Sequence, residues 1–312
     1  MTVRIGLVGC GGWGRHILRD LKSLGCYTEV VARSEGSLAN AQEHGADRII
    51  DGIADFSADL QGFVVATPTV THVSCLGALL PKGRPIFVEK PLSDSLDEAR
   101  RLPVEAETLI FSMQKWRYHP SVDELRRIAE SEEFGKIRGL RTRRVQWGQP
   151  HEDTDAIWIL CPHDLAIATH IFGAVPKPVR ALPDPFGVAG SGLIAELVDE
   201  QSGAPIIIEI SDSHPTARRE AILGCKDAAV ILSDDDYGSL IIRPWPNGFP
   251  DDRVIDVRKV ADTMPLFAEL QAFVSHVAGG PPPLTPFKQE LEIIQVITDL
   301  RVMAGLPPVR EA

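Results

Sequence analysis

The residues best suited to chemistry form the segment Ile86-Phe87-Val88-Glu89-Lys90-Pro91, in which an apolar run ends in an acid, a lysine and a proline. A lysine amine can hydrogen-bond a reacting oxygen. Where burial or a nearby cation lowers its pKa toward neutrality, the amine can also exchange a proton with that oxygen. Taken alone, the tripeptide Glu89-Lys90-Pro91 is more typical of a solvated loop at the end of a strand. The context given by the rest of the chain decides between the two interpretations.

A glycine-rich turn near the start of the chain supplies that context. Gly9-x-Gly11-x-x-Gly14, with Gly12 and Trp13 inside it, follows a predicted strand over residues 3–9 and precedes a predicted helix over 15–24. Such glycines allow a tight turn and a close backbone approach to a pyrophosphate, and the helix N-terminus attracts the same anion. The turn predicts dinucleotide binding, and the alternative is a glycine-rich turn without a ligand.

The end of the second predicted strand bears on the choice of cofactor. Arg33 and Ser34 stand where an acid would grip the ribose of NAD. An arginine and a hydroxyl suit a 2′-phosphate, so NADP(H) is favoured over NAD(H). The alternative is that Arg33 is a solvated loop residue and Glu35 contacts the ribose.

The fourth predicted strand, residues 62–66, ends in small and hydroxyl-bearing residues. We expect Ala66, Thr67, Pro68 and His72 to line the cofactor, as we do Glu89 and Lys90 at the end of the fifth strand. Helix capping by Thr67 and Thr71 is an alternative that is compatible with cofactor contact.

The elements that must position these residues divide the chain into two parts. Up to residue 118, short apolar strands alternate with helices of about ten residues, which predicts a doubly wound parallel sheet, an α/β domain over 1–118. Residues 119–312 begin with helical stretches and continue as strand after strand from 179 to 245, including a hairpin of 193–198 with 205–210. We therefore predict a second, α+β domain built on a mostly antiparallel sheet.

Composition excludes several classes of protein. The net charge of -11, with only Arg141, Arg143 and Arg144 clustered, argues against nucleic acid or an anionic membrane as the main partner. Five scattered cysteines without a Cys-x-x-Cys pair indicate neither a disulfide framework nor a zinc site. No leader is recognised, and no apolar run approaches the ~20 residues of a membrane helix, so we expect a cytoplasmic protein.

Four segments in order, GLVGCGGWG, VVATPTVTH, FVEKPL and RYHP, together resemble the Gfo/Idh/MocA family (glucose–fructose oxidoreductase, inositol dehydrogenase, rhizopine catabolism). Phe267-Ala268-Glu269-Leu270-x-x-Phe273 is similar to a helix of the same family. The resemblance implies a Rossmann domain, an open-faced antiparallel sheet and oligomerisation through that face, as a homodimer or homotetramer. It also implies oxidation of sugar or cyclitol hydroxyls, or reduction of the ketones, with NAD(P).

The segment from Asp155 to Leu165 resembles sugar-nucleotide dehydrogenases within the family. The resemblance places the catalytic lysine at Lys90 and the catalytic histidine at His163. Many members carry an aspartate four residues before that histidine, where this chain has Ile159. An aliphatic side chain neither accepts a proton nor orients an imidazole, so the expected group of acid, lysine and histidine is incomplete.

Several candidates near His163 have a structural alternative. His163 itself could be a helix N-terminal residue after Pro162, and Asp164 could favour the dipole of a first helical turn instead of binding substrate. His170, about 10 Å further along the helix, is interpreted as structural. No metal is predicted, because His163 and Asp164 are adjacent rather than four residues apart.

The family's R-(F/Y)-x-P motif falls on Arg117 to Pro120. Arg117 could bind the substrate or bridge the domains by an ion pair. Arg144, Gln146 and Trp147 either face the pocket or belong to a strand of the open sheet. The leading hypothesis is an NAD(P)-dependent oxidoreductase of a sugar, sugar nucleotide or cyclitol. The alternatives are a nucleotide-binding sensor or scaffold without turnover, motivated by Ile159, and a reductase of a non-sugar ketone or pigment.

Overall fold

The computed structural model describes residues 2–148, 154–233, 238–245, 255–307 and 309. Contacts group the chain into two compact units, Met1–Lys115 with Met264–Ile294, and Trp116–Thr263 with Gln295–Ala312. Residues 264–294 thus pack with the N-terminal part of the chain. The domain ranges 1–118 and 119–312 stay a prediction.

The first unit is built on a six-stranded parallel sheet with the order β3-β2-β1-β4-β5-β6. This is the doubly wound dinucleotide-binding order, in which the chain switches direction between β1 and β4. The strands are β1 (Arg4–Val8), β2 (Tyr27–Val31), β3 (Arg48–Ile50), β4 (Gly62–Val65), β5 (Ile86–Glu89) and β6 (Ile110–Met113).

Helices follow these strands, and two more come from the C-terminal part of the chain. They are α1 (Gly14–Ser23), α2 (Glu35–Glu43), α3 (His72–Leu79), α4 (Leu96–Arg100), α5 (Ala106–Leu109), α8 (Pro265–Val277) and α9 (Phe287–Met303), the last shared by both units. The strands are apolar almost throughout because helices cover the sheet. Phe273 of α8 stacks on Phe87 of β5, with ring centroids 4.9 Å apart.

The second unit is an eight-stranded sheet with the order β14-β13-β12-β11-β7-β10-β9-β8. All neighbours are antiparallel except β7 with β10. Its elements are α6 (Pro120–Ser131), β7 (Ile137–Trp147), α7 (Ala156–Phe172), β8 (Lys177–Pro183), β9 (Gly192–Val198), β10 (Pro205–Ser211), β11 (Ser213–Cys225), β12 (Ala228–Ser233), β13 (Ser239–Pro244) and β14 (Asp256–Lys259). The predicted hairpin is the antiparallel pair of β9 and β10.

One face of this sheet packs on helices. Contacts of α7 with β7, β9 and β10 cover buried side chains at alternate positions, such as Leu140, Ala195 and Ile208. The intervening side chains point to the other face, where Leu182 and Ile194 are paired in register and exposed. The predicted fold class, a Rossmann sheet followed by an open-faced and mostly antiparallel sheet, is confirmed.

Among the helices of the described ranges, none combines the length and the apolar character that a membrane crossing requires. Within the same ranges, no group of three or more His, Cys, Asp and Glu side chains is arranged to hold a metal ion.

Candidate cofactor site and active site

The carboxyl ends of the six parallel strands bring most of the predicted site residues of the first unit to one edge. The glycine turn follows β1, Arg33 and Ser34 follow β2, and Lys90 follows β5. In open α/β sheets this edge is where nucleotides bind, beside the point where the strand order reverses.

The four glycines of the turn serve two different purposes. Gly9 has a positive φ of +93°, and a Cβ atom added there would lie 2.6 Å from the Ala66 carbonyl oxygen. A Cβ atom added at Gly14 would collide with the Gly9 carbonyl oxygen. Packing of the chain on itself therefore requires glycine at both positions. Gly11 and Gly12 are exposed, and a Cβ at either would meet no atom within 4 Å. The absent side chains leave the open backbone that a pyrophosphate needs.

Helix α1 begins beside this turn without a side-chain cap. Trp13 is its N-cap residue, and the first turn carries no acidic side chain. Uncapped N–H groups at a helix N-terminus favour an anion. The turn and the helix together fit the phosphates of a dinucleotide.

The residues after β2 are exposed but engaged with the protein. Arg33 Nε donates to the Asp51 carbonyl oxygen at 3.0 Å. Ser34 is the N-cap of α2, and its hydroxyl accepts from the Ser37 backbone in a capping box. Glu35 lies exposed in the first turn of α2.

The loop after β4 is tied to the loop after β5. Thr71 Oγ1 lies 2.8 Å from Thr67 Oγ1 and 2.8 Å from the Pro68 carbonyl oxygen. Thr71 makes no capping hydrogen bond to α3, so the capping alternative is wrong for this residue. The ring of buried His72 bridges the carbonyl oxygens of Thr67, at 2.8 Å, and Pro91, at 2.9 Å. His72 thereby positions the residue that follows Lys90.

Lys90 is half-buried and lies among carboxylates. The Glu89 carboxylate accepts from the Trp13 indole N–H and from the Lys90 backbone N–H, the latter at 2.9 Å. Lys115, just beyond β6, places its ammonium 4.7 Å from the Trp13 ring centroid, a cation–π contact. Burial raises the pKa of Glu89, while Lys90 and Lys115 lower it.

A second carboxylate near Lys90 comes from α9. Glu290 is 1% exposed and accepts from Gln114 Nε2 at 3.0 Å and from the Leu92 backbone at 3.5 Å. Burial raises the pKa of Glu290, and these hydrogen bonds together with the charge of Lys90 lower it. Within the first unit, Lys90 is thus set in a negative environment supplied by two elements.

In the second unit, the candidate acid Asp164 is paired inside the protein. It is fully buried in the middle of α7 and accepts from Arg144 Nε at 2.8 Å. Burial raises the pKa of Asp164, and Arg144 and Thr142 lower it. The structural alternatives for His163 and Asp164, which placed them in the first turn of a helix, are wrong. Pro162 lies inside α7, so neither residue belongs to a first helical turn.

Aromatic rings connect this ion pair to His163. The Arg144 guanidinium lies 4.7 Å from the Trp116 ring centroid, and the ring of Trp116 stacks on His119 at 5.0 Å. The half-buried His163 approaches the same indole edge-on, with centroids 6.5 Å apart. The indole of Trp116 therefore contacts both Arg144 of the ion pair and His163.

The remaining candidates of the second unit differ in exposure. Arg117 is buried, and burial lowers its pKa to about 10. Gln146 is half-buried, Trp147 is 76% exposed, and Ile159 is buried one turn before His163. His170 Nε2 lies 2.6 Å from Asp123 of α6, a contact between two helices that agrees with the structural interpretation.

Sequence reasoning did not single out the roles of Lys115, Trp116 and Glu290. Their contacts join elements far apart in the chain, which no local pattern reveals. The sequence does contain a sign of Arg144, the partner of Asp164. Side chains alternate between the two faces of β7, and Arg144 falls on the same buried face as Leu140 and Thr142.

Comparison with known proteins agrees with the resemblance to the family in the N-terminal third of the chain. Residues 3–109 match the family model GFO_IDH_MocA, the oxidoreductase family with an NAD-binding Rossmann fold. The inositol 2-dehydrogenase 2 of Saccharopolyspora erythraea is 29% identical over 187 residues, which are 55% of either chain. The match thus spans about half the length of this curated relative.

Solved structures resemble the whole chain in fold. The UDP-N-acetylglucosamine 3-dehydrogenase of Acidithiobacillus ferrooxidans superposes with a TM-score of 0.82 at 20% identity, covering 97% of both chains. A levoglucosan dehydrogenase in complex with NADH and levoglucosan gives a TM-score of 0.82 at 14% identity, covering all of both chains. At these identities the likeness shows the fold alone.

Proposed function

We propose that this chain, a member of the Gfo/Idh/MocA oxidoreductase family, transfers a hydride between a nicotinamide cofactor and a secondary hydroxyl or ketone of a sugar, sugar nucleotide or cyclitol. The observation that carries the proposal is the position of Lys90. It follows β5 at the same sheet edge as the open backbone of Gly11 and Gly12, between Glu89 and Glu290. The names of the relatives, dehydrogenases of inositol and of a sugar nucleotide, support this substrate class.

The cofactor, when bound, supplies the acceptor or donor of the hydride. The chain's own residues would then handle the proton. In alcohol oxidation the substrate hydroxyl loses its proton as the hydride leaves carbon, and we assign its acceptance to Lys90 with His163 as base or relay. In ketone reduction the same groups return the proton to oxygen.

Two carboxylates in the first unit, the half-buried Glu89 and the buried Glu290, bear on the absent aspartate at position 159. Negative charge beside an amine stabilises the ammonium that forms when the amine accepts a proton from the substrate. Burial raises the pKa of Glu89 and of Glu290, and the charge of Lys90 acts against this rise in both. We therefore expect turnover despite Ile159, with Asp164 supporting His163 through Arg144 and Trp116.

The preference for NADP(H) over NAD(H) is part of the proposal. The family model specifies an NAD-binding fold without distinguishing the two. Arg33 is exposed at the end of β2 and anchored through its Nε to the Asp51 carbonyl oxygen. An arginine held there suits a 2′-phosphate.

We also propose a cytoplasmic homo-oligomer. All five cysteines are free, and four of them are buried, as is usual in a reducing compartment. Exposed Leu182 and Ile194 lie side by side on the sheet face that points away from α7. Adjacent exposed apolar side chains on an open sheet face favour a symmetric partner. Ile194→Lys should lower the molar mass seen by light scattering, while Val104→Lys, at an exposed valine of the first unit, should not.

The function is tested by following NADH and NADPH fluorescence with a panel of sugars, sugar nucleotides and cyclitols. Lys90→Met should bind the cofactor and lose turnover by at least about a hundredfold. Lys82→Met is the matched control, because Lys82 precedes β5 and lies at the opposite end of that strand. Cofactor binding with no turnover of any substrate, and no effect of Lys90→Met, would favour the sensor instead.

A further inference from the structure

A buried glutamate of the first unit has no place in the chemistry described so far. Glu269 of α8 is 1% exposed, and its Oε2 has no hydrogen-bond partner among the described residues. A buried ionised carboxylate without a donor is costly, and such groups normally take up a proton instead.

The packing of α8 places Glu269 next to the lysine loop. Phe273, one turn further along α8, stacks on Phe87 of β5, and Glu89 lies two residues beyond Phe87 on the same side of the strand. One helical turn and two strand residues each cover about 6 Å. The two carboxyl groups are close enough that Glu89 raises the pKa of Glu269, although burial is the larger cause.

The surroundings of the two acids differ. Glu89 accepts two N–H groups, from Trp13 and from the Lys90 backbone, and both Lys90 and Lys115 favour its ionised form. Of the two lysines, only Lys115 lowers the pKa of Glu269, whereas the negative charge of Glu89 raises it. Where the environments of two neighbouring acids diverge in this way, one stays ionised and the other stays protonated.

We propose that Glu269 is a positioning residue that carries a proton and therefore lies next to Glu89 without repelling it, so that the Glu89 carboxylate stays on Trp13 and on the Lys90 backbone. Trp13 belongs to the glycine turn and Lys90 to the loop after β5, so the Glu89 carboxylate joins the cofactor turn to the reacting lysine. This inference rests on the proposed function for its consequence in catalysis, but not for the protonation of Glu269.

The protonation is tested on the full chain without cofactor or substrate. An infrared spectrum in D₂O should contain the carbonyl band of a buried protonated acid near neutral pH, and Glu269→Gln should remove it. Glu292→Gln, at an exposed glutamate of α9, is the matched control and should leave the band unchanged. A spectrum that Glu269→Gln leaves unchanged in this region would overturn the assignment, whatever Glu290 and Asp164 contribute to it.

The stability of the protein should also depend on this proton. The folded form keeps the proton at a pH where the unfolded chain has lost it, so the contribution of Glu269 to stability falls as pH rises above its unfolded pKa of about 4.3. Glutamine does not titrate. The urea midpoint of Glu269→Gln should therefore rise relative to that of the wild type between about pH 5 and pH 8. Parallel profiles would show that Glu269 titrates normally and would contradict the proposal.

The positioning role is read from cofactor affinity. Glu269→Ala should weaken NADH or NADPH binding about tenfold, because the Glu89 carboxylate loses its neighbour and shifts. Glu269→Gln, which preserves the shape and the neutral charge, should stay within about twofold of wild type. Equal weakening by both would refute positioning by a neutral acid. If the alanine variant does not fold, the infrared band and the glutamine variant still decide. If no sugar is turned over, the proposed function is contradicted, whereas the infrared band and the urea midpoints still test the protonation of Glu269.

Discussion

Buried carboxylates lie around the carboxyl ends of β5 and β6 and in the middle of α7, but the two regions balance the charge differently. In the second unit, one acid meets one base: Asp164 is paired with Arg144, and both are buried. In the first unit, Glu89, Glu269 and Glu290 surround the ends of β5 and β6, where Lys90 and Lys115 lie. There three carboxyl groups lie near two lysines, so one carboxyl group must take up a proton if the charges are to balance.

The difference indicates what each region does. A matched pair with close hydrogen bonds has one stable protonation state, and it holds neighbouring side chains in place. A group in which acids outnumber bases keeps a protonated acid beside an ionised one, which suits the handling of a proton next to a reacting oxygen. We infer that the second unit orients His163, whereas the first unit carries the proton chemistry around Lys90.

The largest effect is expected from breaking the matched pair. Asp164→Ala leaves the Arg144 guanidinium buried without its carboxylate, and we expect the free energy of unfolding to fall by about 3–5 kcal/mol. Urea denaturation measures this loss. The double variant Arg144→Met/Asp164→Leu, which removes both charges, should lose much less.

A surface pair provides the control. Lys177 and Glu200 form an ion pair in which both side chains are more than half exposed. Glu200→Gln should change the unfolding free energy by less than about 1 kcal/mol. A similar cost for Asp164→Ala and Glu200→Gln would mean that the buried pair is not what holds this region together.

Removal of the oriented imidazole is the next largest effect. His163→Ala should reduce turnover about a hundredfold, while the dissociation constant of the cofactor changes little, because the protein loses a proton carrier and not a cofactor contact. Steady-state kinetics and a fluorescence titration separate the two quantities. His170→Gln, on the same helix but in contact with Asp123, is the control and should retain turnover. Unchanged turnover in His163→Ala would remove this residue from the mechanism.

A smaller effect concerns the choice between the two cofactors. Arg33→Asp should weaken NADPH binding about tenfold and leave NADH binding equal or better, since an acid repels the 2′-phosphate and can accept from the ribose hydroxyls. Fluorescence titrations with both cofactors test this. Arg84→Asp, at an exposed residue before β5, is the control. An equal loss for both cofactors would show that Arg33 does not read the phosphate.

Much of the fold is predictable from local sequence patterns. The parallel strands read as short apolar runs bounded by glycine and proline, and the helical stretches expected at the start of the second part correspond to α6 and α7. The resemblance to the family, carried by motifs around Gly9, Ala66 and Lys90, is confirmed by the family model. These signals are local because strand burial and turn geometry depend on neighbours in the chain.

The sequence does not reveal contacts between distant elements. The acids around Lys90 come from α8 and α9, almost two hundred residues away, and no periodicity relates Glu290 to Leu92. Pro162 suggested a helix start, because proline favours the first turn. The structure instead accommodates it within α7, since burial of the surrounding helix outweighs the lost hydrogen bond. The roles of Lys90, His163 and the other site residues stay predictions.

The smallest effect has a pH dependence opposite to that of Glu269. In the second unit, Glu133 lies at the surface next to Arg127 and Arg258, and a hydrogen bond from Arg258 is the main cause that lowers its pKa to about 2. A lowered pKa stabilises the fold above the unfolded pKa, and the contribution is lost as pH falls from about 4.3 toward 2. Solvent screening limits it, so Glu133→Gln should cost about 1 kcal/mol at pH 7 and progressively less below pH 4.

Urea midpoints of wild type and Glu133→Gln between pH 7 and pH 3 measure this convergence, with Glu130→Gln, in an exposed pair with Arg126, as the control. A difference that stays constant over this range would show that Glu133 titrates alike in the folded and unfolded chains. Because Glu269→Gln should diverge from wild type as pH rises and Glu133→Gln should converge with it as pH falls, the two profiles together separate the units. The change at acid pH reports the Glu133 carboxylate, which arginines hold ionised, and the change at higher pH reports the Glu269 carboxyl group, which burial and Glu89 hold neutral.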